Sequence, residues 1–477
     1  MHAKLVVLGG GPGGYAAAFL AADLGMEVTL VESDPRLGGT CLLRGCIPSK
    51  ALLHVAKVIS EAKELHEWGV DFGRPRFNVD ALRARKDKVI GSLSAGLKQL
   101  ASRRKVTLIN ARGVFESSNT LRLEFNDPPG KIEKLSFDHC ILATGSVPAM
   151  IPAFDIGSPR VMDSTGALEL PDLPETLLVV GGGYIGLEMG TVYAELGTKV
   201  SVVELTDGLL PGADRDLVKP LHQRLEKLFA KIYLSTKVVS LVDQKVAVEV
   251  KFQNADGANE RIEKFDRVLV SVGRKPVSKG IGLENTKVKI DSRGFVVIDD
   301  RQRTGDPQIL AIGDVAGEPM LAHKASHQGR VAVEALHGGP AAFHPLAIPA
   351  VVFTDPEIAW AGLTEEQARR ENREVEVAKY PWAASGRATS LGRTEGLTKF
   401  LIDPDTDRIL GVGIVGPGAG ELISEGVLAI EMGCTARDVA DSIHPHPTLS
   451  ETLAFTSEAY FGTATEIYRP KREKTAV

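Results

Sequence analysis

The sequence predicts an α/β protein built from several domains. Its 477 residues are too many for one hydrophobic core, because single cores stop growing beyond about 250–300 residues. Two segments, about 170 residues apart, repeat the order of apolar strand, glycine-rich turn, helix and second strand. After about residue 346 strands and helices alternate without such a turn, which indicates a separate region for association. These observations predict two Rossmann-like dinucleotide-binding domains followed by a C-terminal α+β dimerisation domain.

The two repeats have the same order of elements. In the first, residues 5–8 are continuously apolar, as expected for a strand buried on both faces. The turn 9–14 follows, then an alanine-rich helix over 15–24 that Gly25 ends, then a strand over 27–32. The second repeat has a strand over 177–180, a turn over 181–186, a helix toward Leu196 and a strand over 199–204. Two further strands are predicted to enter turns, at 140–145 and 309–314.

Each turn carries the pattern G-x-G-x-x-G and is followed, 18 residues after its last glycine, by a glutamate. The residues of the two patterns are Gly9, Gly11, Gly14 and Glu32, and Gly181, Gly183, Gly186 and Glu204. The first glycine makes the tight turn, the second lets the backbone approach a pyrophosphate, and the third lets helix and strand pack closely. The glutamate accepts hydrogen bonds from the ribose hydroxyls of an adenosine.

Two such patterns imply two dinucleotides, most simply FAD and a nicotinamide dinucleotide. Glu204 favours NAD, because a carboxylate repels the 2′-phosphate of NADP and no arginine stands beside it at Val203 or Leu205. The alternative is a pair of glycine-rich turns without ligand. The doubled pattern disfavours that alternative. We therefore predict an FAD-binding domain over 1–150, an NAD-binding domain over 151–273, a central domain over 274–346 that completes the FAD site, and an interface domain over 347–477.

Composition excludes several classes of protein. The net charge is −5 and the isoelectric point is near 6.2, which argues against binding to nucleic acid. The only basic cluster, residues 469–474, is interpreted as a solvated terminus. No apolar run approaches the length of a transmembrane helix, and the chain begins directly with a strand. We therefore expect a cytoplasmic protein without a membrane span.

Cys41 and Cys46 lie five residues apart in the run 38–50, GGTCLLRGCIPSK. On a regular helix they would point about 140° apart and could not be bridged. Gly45 permits a break, and Pro48 suits the first turn of a helix that begins near Cys46. A thiolate at Cys46 would then face a helix N-terminus, which lowers its pKa. Lys50 lies four residues later on the same helix face.

Three interpretations of this pair are a metal site, a structural disulfide and a redox disulfide. A zinc site needs further ligands, and Cys140 and Cys434 are isolated and expected to be buried, so no metal is predicted. A structural disulfide that closes so short a loop in a reducing compartment adds little stability. A redox disulfide fits best.

Taken together with these residues, the chain resembles the pyridine nucleotide-disulfide oxidoreductases over nearly its whole length. The motifs that carry the resemblance are the run 38–50 and the segments 143–146 (ATGS), 163–166 (DSTG), 272–274 (VGR), 313–315 (GDV), 320–325 (MLAHKA) and 446–451 (HPTLSE). The resemblance implies an FAD-dependent homodimer that oxidises protein-bound dihydrolipoamide with NAD⁺. It would be a component of 2-oxo acid dehydrogenase or glycine cleavage complexes, with the lipoyl domains and the peripheral-subunit-binding domain of an acyltransferase as partners.

The resemblance also implies roles for individual residues. Cys41 would be the interchange thiol and Cys46 the thiolate that passes electrons to the flavin. His446, oriented by Glu451, would take a proton from substrate at the disulfide of the other subunit. Lys50, paired with Glu188, would lie near the flavin ring. The expected cofactor contacts are Gly9, Gly11, Gly14, Glu32, Thr40, Lys50, Gly113, Thr144, Gly145, Ser146, Asp314, Met320, Leu321, Ala322, His323, Gly181, Gly183, Tyr184, Gly186, Glu204, Gly273 and Arg274.

Several alternatives stay open. His444 is a rival to His446, and Glu451 could instead cap a helix, because Thr448 to Glu451 matches a capping box. Lys50 and Glu188 could be an ordinary ion pair. At the level of function, the alternatives are another FAD-dependent NAD(P)H disulfide reductase and a non-catalytic subunit of a larger complex.

Overall fold

The computed structural model describes residues 1–468; the basic cluster 469–474 lies outside this range. The first unit contains β1 (His2–Leu8), α1 (Pro12–Asp23), β2 (Val28–Glu32), α2 (Gly39–Arg44), α3 (Cys46–Glu64), α4 (Val79–Arg103), β3 (Thr107–Ser117), β4 (Thr120–Phe125), β5 (Ile132–Leu142) and β6 (Ser146–Pro148). The predicted helix over 15–24 begins earlier, at Pro12. Proline suits the first turn of a helix, where its missing N–H is not needed.

The second unit follows the same plan and adds a small antiparallel sheet. Its elements are β7 (Val161–Met162), α5 (Ser164–Leu168), β8 (Thr176–Val180), α6 (Tyr184–Glu195), β9 (Lys199–Val203), α7 (Arg215–Leu228), β10 (Lys231–Tyr233), β11 (Thr236–Asp243), β12 (Val248–Asn254), β13 (Arg261–Phe265), β14 (Arg267–Val270) and β15 (Arg274–Pro276).

The remaining elements return to the first unit and then form the C-terminal region. They are β16 (Ile309–Ala311), a 3-10 turn (Gly313–Ala316), α8 (Ala322–Leu336), β17 (Ala350–Val352), β18 (Glu357–Gly362), α9 (Glu365–Arg370), β19 (Glu376–Pro381), α10 (Gly386–Ser390), β20 (Leu397–Ile402), β21 (Ile409–Gly416), α11 (Ala419–Glu431), α12 (Ala436–Ala440) and α13 (Glu451–Phe461).

The first sheet is parallel at its centre. β1 lies between β2 and β5, β3 pairs with β2, and β16 pairs in parallel with β5. β4 closes the sheet by antiparallel pairing with β3 and β5. The face covered by α1 and α8 buries small residues such as Ala17, Ala21 and Ala332. Small side chains there let the helices approach the strands closely, which brings the N-terminus of α1 to the carboxyl ends of the strands.

The second sheet is parallel in the order β10-β9-β8-β14-β7. One face packs against α6 and α7 in a core that also contains Leu52, Leu53 and Ala56 of α3. The opposite face packs against the three-stranded sheet β11-β12-β13. The strands β6 and β15 pair with each other and connect the two units. Because α3 contributes to the core of the second unit, the cysteine segment is held between the two dinucleotide-type units.

The C-terminal region is one antiparallel sheet, in the order β17-β18-β21-β20-β19, packed against α11 and α13. Val352, Ile358 and Val415 of this sheet also join the core of the second unit. The C-terminal region is therefore packed on α3 and the second unit of its own chain.

Candidate active site

A cavity of about 620 Å³ opens at the carboxyl ends of the first sheet and reaches α3 and the start of α6. Many of the residues expected at the site line it: Gly9, Gly11, Glu32, Thr40, Cys41, Cys46, Lys50, Gly113, Thr144, Gly145, Ser146, Tyr184, Glu188, Arg274, Asp314, Met320 and Ala322. Residues from distant stretches of the sequence thus meet in one place. This volume is in the range of cofactor sites, about 300–1,000 Å³.

The other expected residues lie outside the lining of this cavity: Gly14, Leu321, His323, Gly181, Gly183, Gly186, Glu204, Gly273, His446 and Glu451. The glycines from Gly181 to Gly273, together with Glu204, belong to the second unit, and Gly14 is packed against Gly9. The His323 side chain turns to the C-terminal region, where its Nε2 lies 2.9 Å from the carbonyl oxygen of Pro349. Leu321 and His323 therefore do not present side chains to the cavity.

The glycines of both turns fit a bound dinucleotide. A Cβ on Gly14 would lie 1.8 Å from the carbonyl oxygen of Gly9, and one on Gly186 would lie 2.3 Å from that of Gly181. Packing within the protein therefore requires glycine at positions 14 and 186, with or without a ligand. A Cβ on Gly183 would meet nothing within 4 Å, and one on Gly11 would first meet an atom at 3.7 Å. The open space above the middle glycine is what close approach of a pyrophosphate needs.

The two glutamates are held in equivalent positions. Glu32 accepts the N–H of Gly10 at 2.6 Å and Glu204 accepts the N–H of Gly182 at 2.7 Å. The second carboxylate oxygen of each glutamate accepts the N–H of the residue two positions later, at 2.8 Å in both cases. A carboxylate has about four acceptor positions, so each fixed glutamate keeps capacity for ribose hydroxyls.

The cysteine segment is two helices separated by Gly45. The backbone of Gly45 has φ −146° and ψ −113°, and a Cβ there would lie 2.9 Å from the carbonyl oxygen of Thr40. Both cysteines are thiols in this structure. The Cys41 thiol donates to Cys46, and this hydrogen bond, aided by the charge of Lys50, lowers the pKa of Cys46 to about 7 against the effect of burial. The same hydrogen bond and burial raise the pKa of Cys41. Cys46 is therefore the more easily ionised thiol of the pair, and both cysteines line the cavity.

Lys50 and Glu188 form a bidentate pair, with Nζ 3.0 Å and 2.8 Å from the two carboxylate oxygens. The Glu188 side chain is only 4% exposed. Phe353 from the C-terminal region completes the arrangement: its N–H donates to Glu188 at 3.0 Å, and its ring centroid lies 4.4 Å from the Lys50 ammonium. Sequence reasoning missed Phe353, because it stands in an apolar run that is typical of core.

Tyr184 occupies the first position of α6 and lines the same cavity. Burial raises the pKa of Tyr184 to about 12. Its phenol is therefore neutral throughout the physiological range.

His446 lies in the loop before α13 and its side chain is 78% exposed. Its Nδ1 lies 2.8 Å from Oε1 of Glu451, which fixes the ring and leaves Nε2 directed away from Glu451. The other oxygen of Glu451 accepts the N–H of Thr448 at 2.7 Å. The helix begins at Glu451 with Ser450 as its N-cap residue, so the capping box is only half formed. Glu451 thus both orients His446 and satisfies a backbone N–H.

His444 has a different environment. Its side chain is 9% exposed, its Nδ1 lies 2.8 Å from the carbonyl oxygen of Ser442, and its Nε2 lies 2.8 Å from Glu425. Both ring nitrogens are engaged, so His444 has no nitrogen left for a substrate. Sequence spacing alone could not separate the two histidines.

One group of three carboxylates in residues 1–468 is close enough to hold a metal ion: Asp214, Asp216 and Glu365. Lys399 is buried among them, with Nζ 2.7 Å, 2.7 Å and 2.8 Å from their oxygens. The ammonium group occupies the position that an ion would take. This cluster joins the start of α7 to the C-terminal sheet.

The cavity combines a dinucleotide-binding turn with a thiol pair and a lysine–glutamate pair, and a second dinucleotide-type unit lies beside it. This arrangement is typical of a thiol–disulfide oxidoreductase that works with two dinucleotides. Two family models match the chain: pyridine nucleotide-disulphide oxidoreductase over residues 3–329, and the dimerisation domain of the same family over residues 348–456. The chain belongs to this family. It is an FAD-dependent oxidoreductase that uses NAD(H), and the C-terminal match supports a homodimer.

Relatives of known function are similar in sequence to this chain over nearly its full length. The dihydrolipoyl dehydrogenase of Vibrio parahaemolyticus is 46% identical over 99% of both chains. That of Halobacterium salinarum is 42% identical over 96% of both chains. The crystal structure of LpdA from Mycobacterium tuberculosis superposes with a TM-score of 0.87 at 26% identity, covering 96% of this chain and 99% of that one. Among the described helices, none has the length and apolar character needed to span a membrane.

Proposed function

We propose that this enzyme oxidises dihydrolipoyl groups to lipoyl groups and reduces NAD⁺. The substrate dithiol gives two electrons and two protons to the Cys41–Cys46 disulfide, so that the lipoyl disulfide forms and the enzyme disulfide becomes two thiols. The two thiols then return to the disulfide, NAD⁺ takes the two electrons and one proton as a hydride, and the second proton is released. FAD, when bound, supplies the two-electron carrier between the thiol pair and the nicotinamide.

The observation that carries this proposal is the unequal thiol pair. Cys46 has a pKa of about 7 and faces the cavity beside Lys50, whereas Cys41 keeps its proton. Thiol–disulfide exchange needs a thiolate as attacking group. In the oxidising direction the attacking thiolate belongs to the substrate, so a base must remove its proton. Cys41 would receive the attack, and Cys46 would leave as the stabilised thiolate.

His446 is the base in this proposal. Its exposed imidazole, fixed through Nδ1 by Glu451, resembles the base and orienting carboxylate of other enzymes. As the family resemblance implies, His446 would act on the thiol pair of the other subunit of the homodimer, and it does not line the cavity of its own chain. Lys50 and Glu188 would set the charge beside the flavin ring.

The partners of this reaction are proposed from the family resemblance. The substrate would be carried on lipoyl domains, and the enzyme would dock on the peripheral-subunit-binding domain of an acyltransferase in a 2-oxo acid dehydrogenase or glycine cleavage complex. Such complexes would place the protein in the cytoplasm. Glu204 supports NAD over NADP, because its fixed carboxylate would face a 2′-phosphate.

Anaerobic titration of the purified holoenzyme tests the proposal. Dihydrolipoamide should produce a long-wavelength thiolate-to-flavin absorbance band, NAD⁺ should remove it, and NADH should form over many turnovers. The C46S variant should bind FAD but show no band. If dihydrolipoamide leaves the flavin spectrum unchanged while NADH bleaches it, the substrate assignment is wrong. Rapid oxidation of NADPH with glutathione disulfide would instead identify another disulfide reductase of the family.

A further inference from the structure

Three side chains in the wall of the cavity form a hydrogen-bonded chain. Arg274 Nε donates to Ser146 Oγ at 2.8 Å, and Ser146 Oγ lies 2.5 Å from Asp314 Oδ2. Arg274 Nη2 also donates to the carbonyl oxygen of Ser146 at 2.7 Å. All three residues line the cavity, and Ser146 is 3% exposed.

The direction of this chain is fixed by chemistry. A guanidinium has only donors, a carboxylate has only acceptors, and a serine hydroxyl has a single proton. Since Arg274 donates to Ser146, the serine proton must point to Asp314. One oxygen of Asp314 is therefore engaged and held in place. The other oxygen is left for a ligand in the cavity.

The fold brings these residues together from three places. Each follows a glycine in the left-handed region of backbone space, at the carboxyl end of a parallel strand: Gly145 at φ 71°, Gly273 at φ 116° and Gly313 at φ 74°. Ser146 starts β6 and Arg274 starts β15, and these two strands pair with each other. Arg274 therefore comes from the end of the second unit, but two of its nitrogens donate to the first.

We propose that Arg274 is a positioning residue for flavin binding, acting through Ser146 on Asp314. The resemblance places both Asp314 and Arg274 among the expected cofactor contacts, without a specific role for either. In the structure Arg274 orients Ser146, and Ser146 orients the carboxylate of Asp314, which lines the cavity where FAD would bind. The NAD-side unit thereby contributes to FAD affinity. This inference rests on the flavin cofactor and not on the dithiol substrate, so either can fail alone.

FAD affinity of the apoprotein tests the inference. Apoprotein of the wild type and of S146A, R274M and the double variant is titrated with FAD and followed by flavin fluorescence. The matched control is K275M, which removes a charge from the next residue of β15, an exposed side chain. Because hydrogen bonds to charged groups are involved, S146A and R274M should each weaken FAD binding about tenfold or more. K275M should bind FAD like the wild type.

The double variant separates a connected chain from independent contacts. If Arg274 acts through Ser146, the loss in the double variant is well below the product of the two single losses. R274K should restore part of the affinity, since it keeps one donor. The melting temperature of each apoprotein should match that of K275M, because the effect belongs to the flavin site.

Two results would overturn the inference. In one, R274M binds FAD as tightly as K275M and only the KM for NAD⁺ rises, which would make Arg274 a contact of the nicotinamide dinucleotide alone. In the other, the two single losses multiply in the double variant. If R274M does not fold, S146A alone tests the inference. FAD affinity of S146A equal to that of the wild type would then refute the role of the hydrogen bonds from Arg274 through Ser146 to Asp314.

Discussion

Replacing Glu451 with alanine probes the proposed base, His446, without changing the histidine itself. In the structure Glu451 Oε1 lies 2.8 Å from His446 Nδ1, and Oε2 accepts the N–H of Thr448. The Glu451 side chain is 11% exposed but that of His446 is 78% exposed, so water screens the pair from the histidine side. Alanine would leave the His446 ring without the group that holds it.

The magnitude follows from the lost hydrogen bond. A hydrogen bond to a charged group contributes about 1.5–3 kcal/mol. Because the exposed His446 ring is screened by water, we take the lower end, and a loss of about 1.5 kcal/mol should lower kcat/KM for dihydrolipoamide about tenfold. E451Q keeps an acceptor but loses the charge, so its activity should lie between those of wild type and E451A.

Steady-state assays with two acceptors separate this effect from general damage. Dihydrolipoamide with NAD⁺ needs the thiol pair and the base, whereas NADH with ferricyanide bypasses both. E451A should lose the first activity and keep the second within about twofold. E425A is the matched control, because Glu425 holds His444 at the same 2.8 Å distance. Wild-type kcat/KM in E451A, or an equal loss in E425A, would refute the assignment of His446 and Glu451.

Three further outcomes are expected. In the reduced enzyme the thiolate band should be present at alkaline pH and disappear as the pH falls through about 7. K50M should raise the midpoint of this titration, because Lys50 lowers the pKa of Cys46. A spectral titration with an unchanged midpoint in K50M would contradict this. G14A should be purified without flavin, whereas G186A should keep its flavin and lose affinity for NAD⁺, since each added Cβ would meet a carbonyl oxygen at 1.8 Å or 2.3 Å. Flavin content and KM for NAD⁺ test G14A and G186A. E204A should reduce the preference for NAD⁺ over NADP⁺ at least tenfold, because it removes a fixed negative charge.

The local parts of the fold were predictable because their causes are local. The turns 9–14 and 181–186, the helices after them and the break at Gly45 depend on glycine conformations and apolar periodicity within about 20 residues. The helix at Cys46 follows from Gly45 and Pro48. The first helix begins at Pro12 and not at Tyr15, because proline can begin a helix earlier than the apolar pattern shows.

Contacts between distant segments were not predictable from pattern alone. The pairing of Lys50 with Glu188, 138 residues away, came only from the resemblance, and the structure has this pair. Phe353 was missed because an aromatic residue in an apolar run has no signal that distinguishes a site from a core. The direction of the His323 side chain, toward the carbonyl oxygen of Pro349, was likewise not visible in the sequence, and its contact with the cofactor stays a prediction.

Phe353 has a consequence for how freely the parts of this chain can be exchanged. It belongs to the segment matched by the dimerisation model, yet it touches Lys50 and Glu188 of its own subunit. A chimera that joins residues 1–346 to the C-terminal segment of a relative would therefore also replace the residue that contacts Lys50 and Glu188 at the cavity. An aliphatic residue at position 353 would preserve the backbone N–H but remove the ring beneath the ammonium. The two family models match separate segments of the sequence, but Phe353 of one segment and Lys50 and Glu188 of the other form one group of contacting side chains.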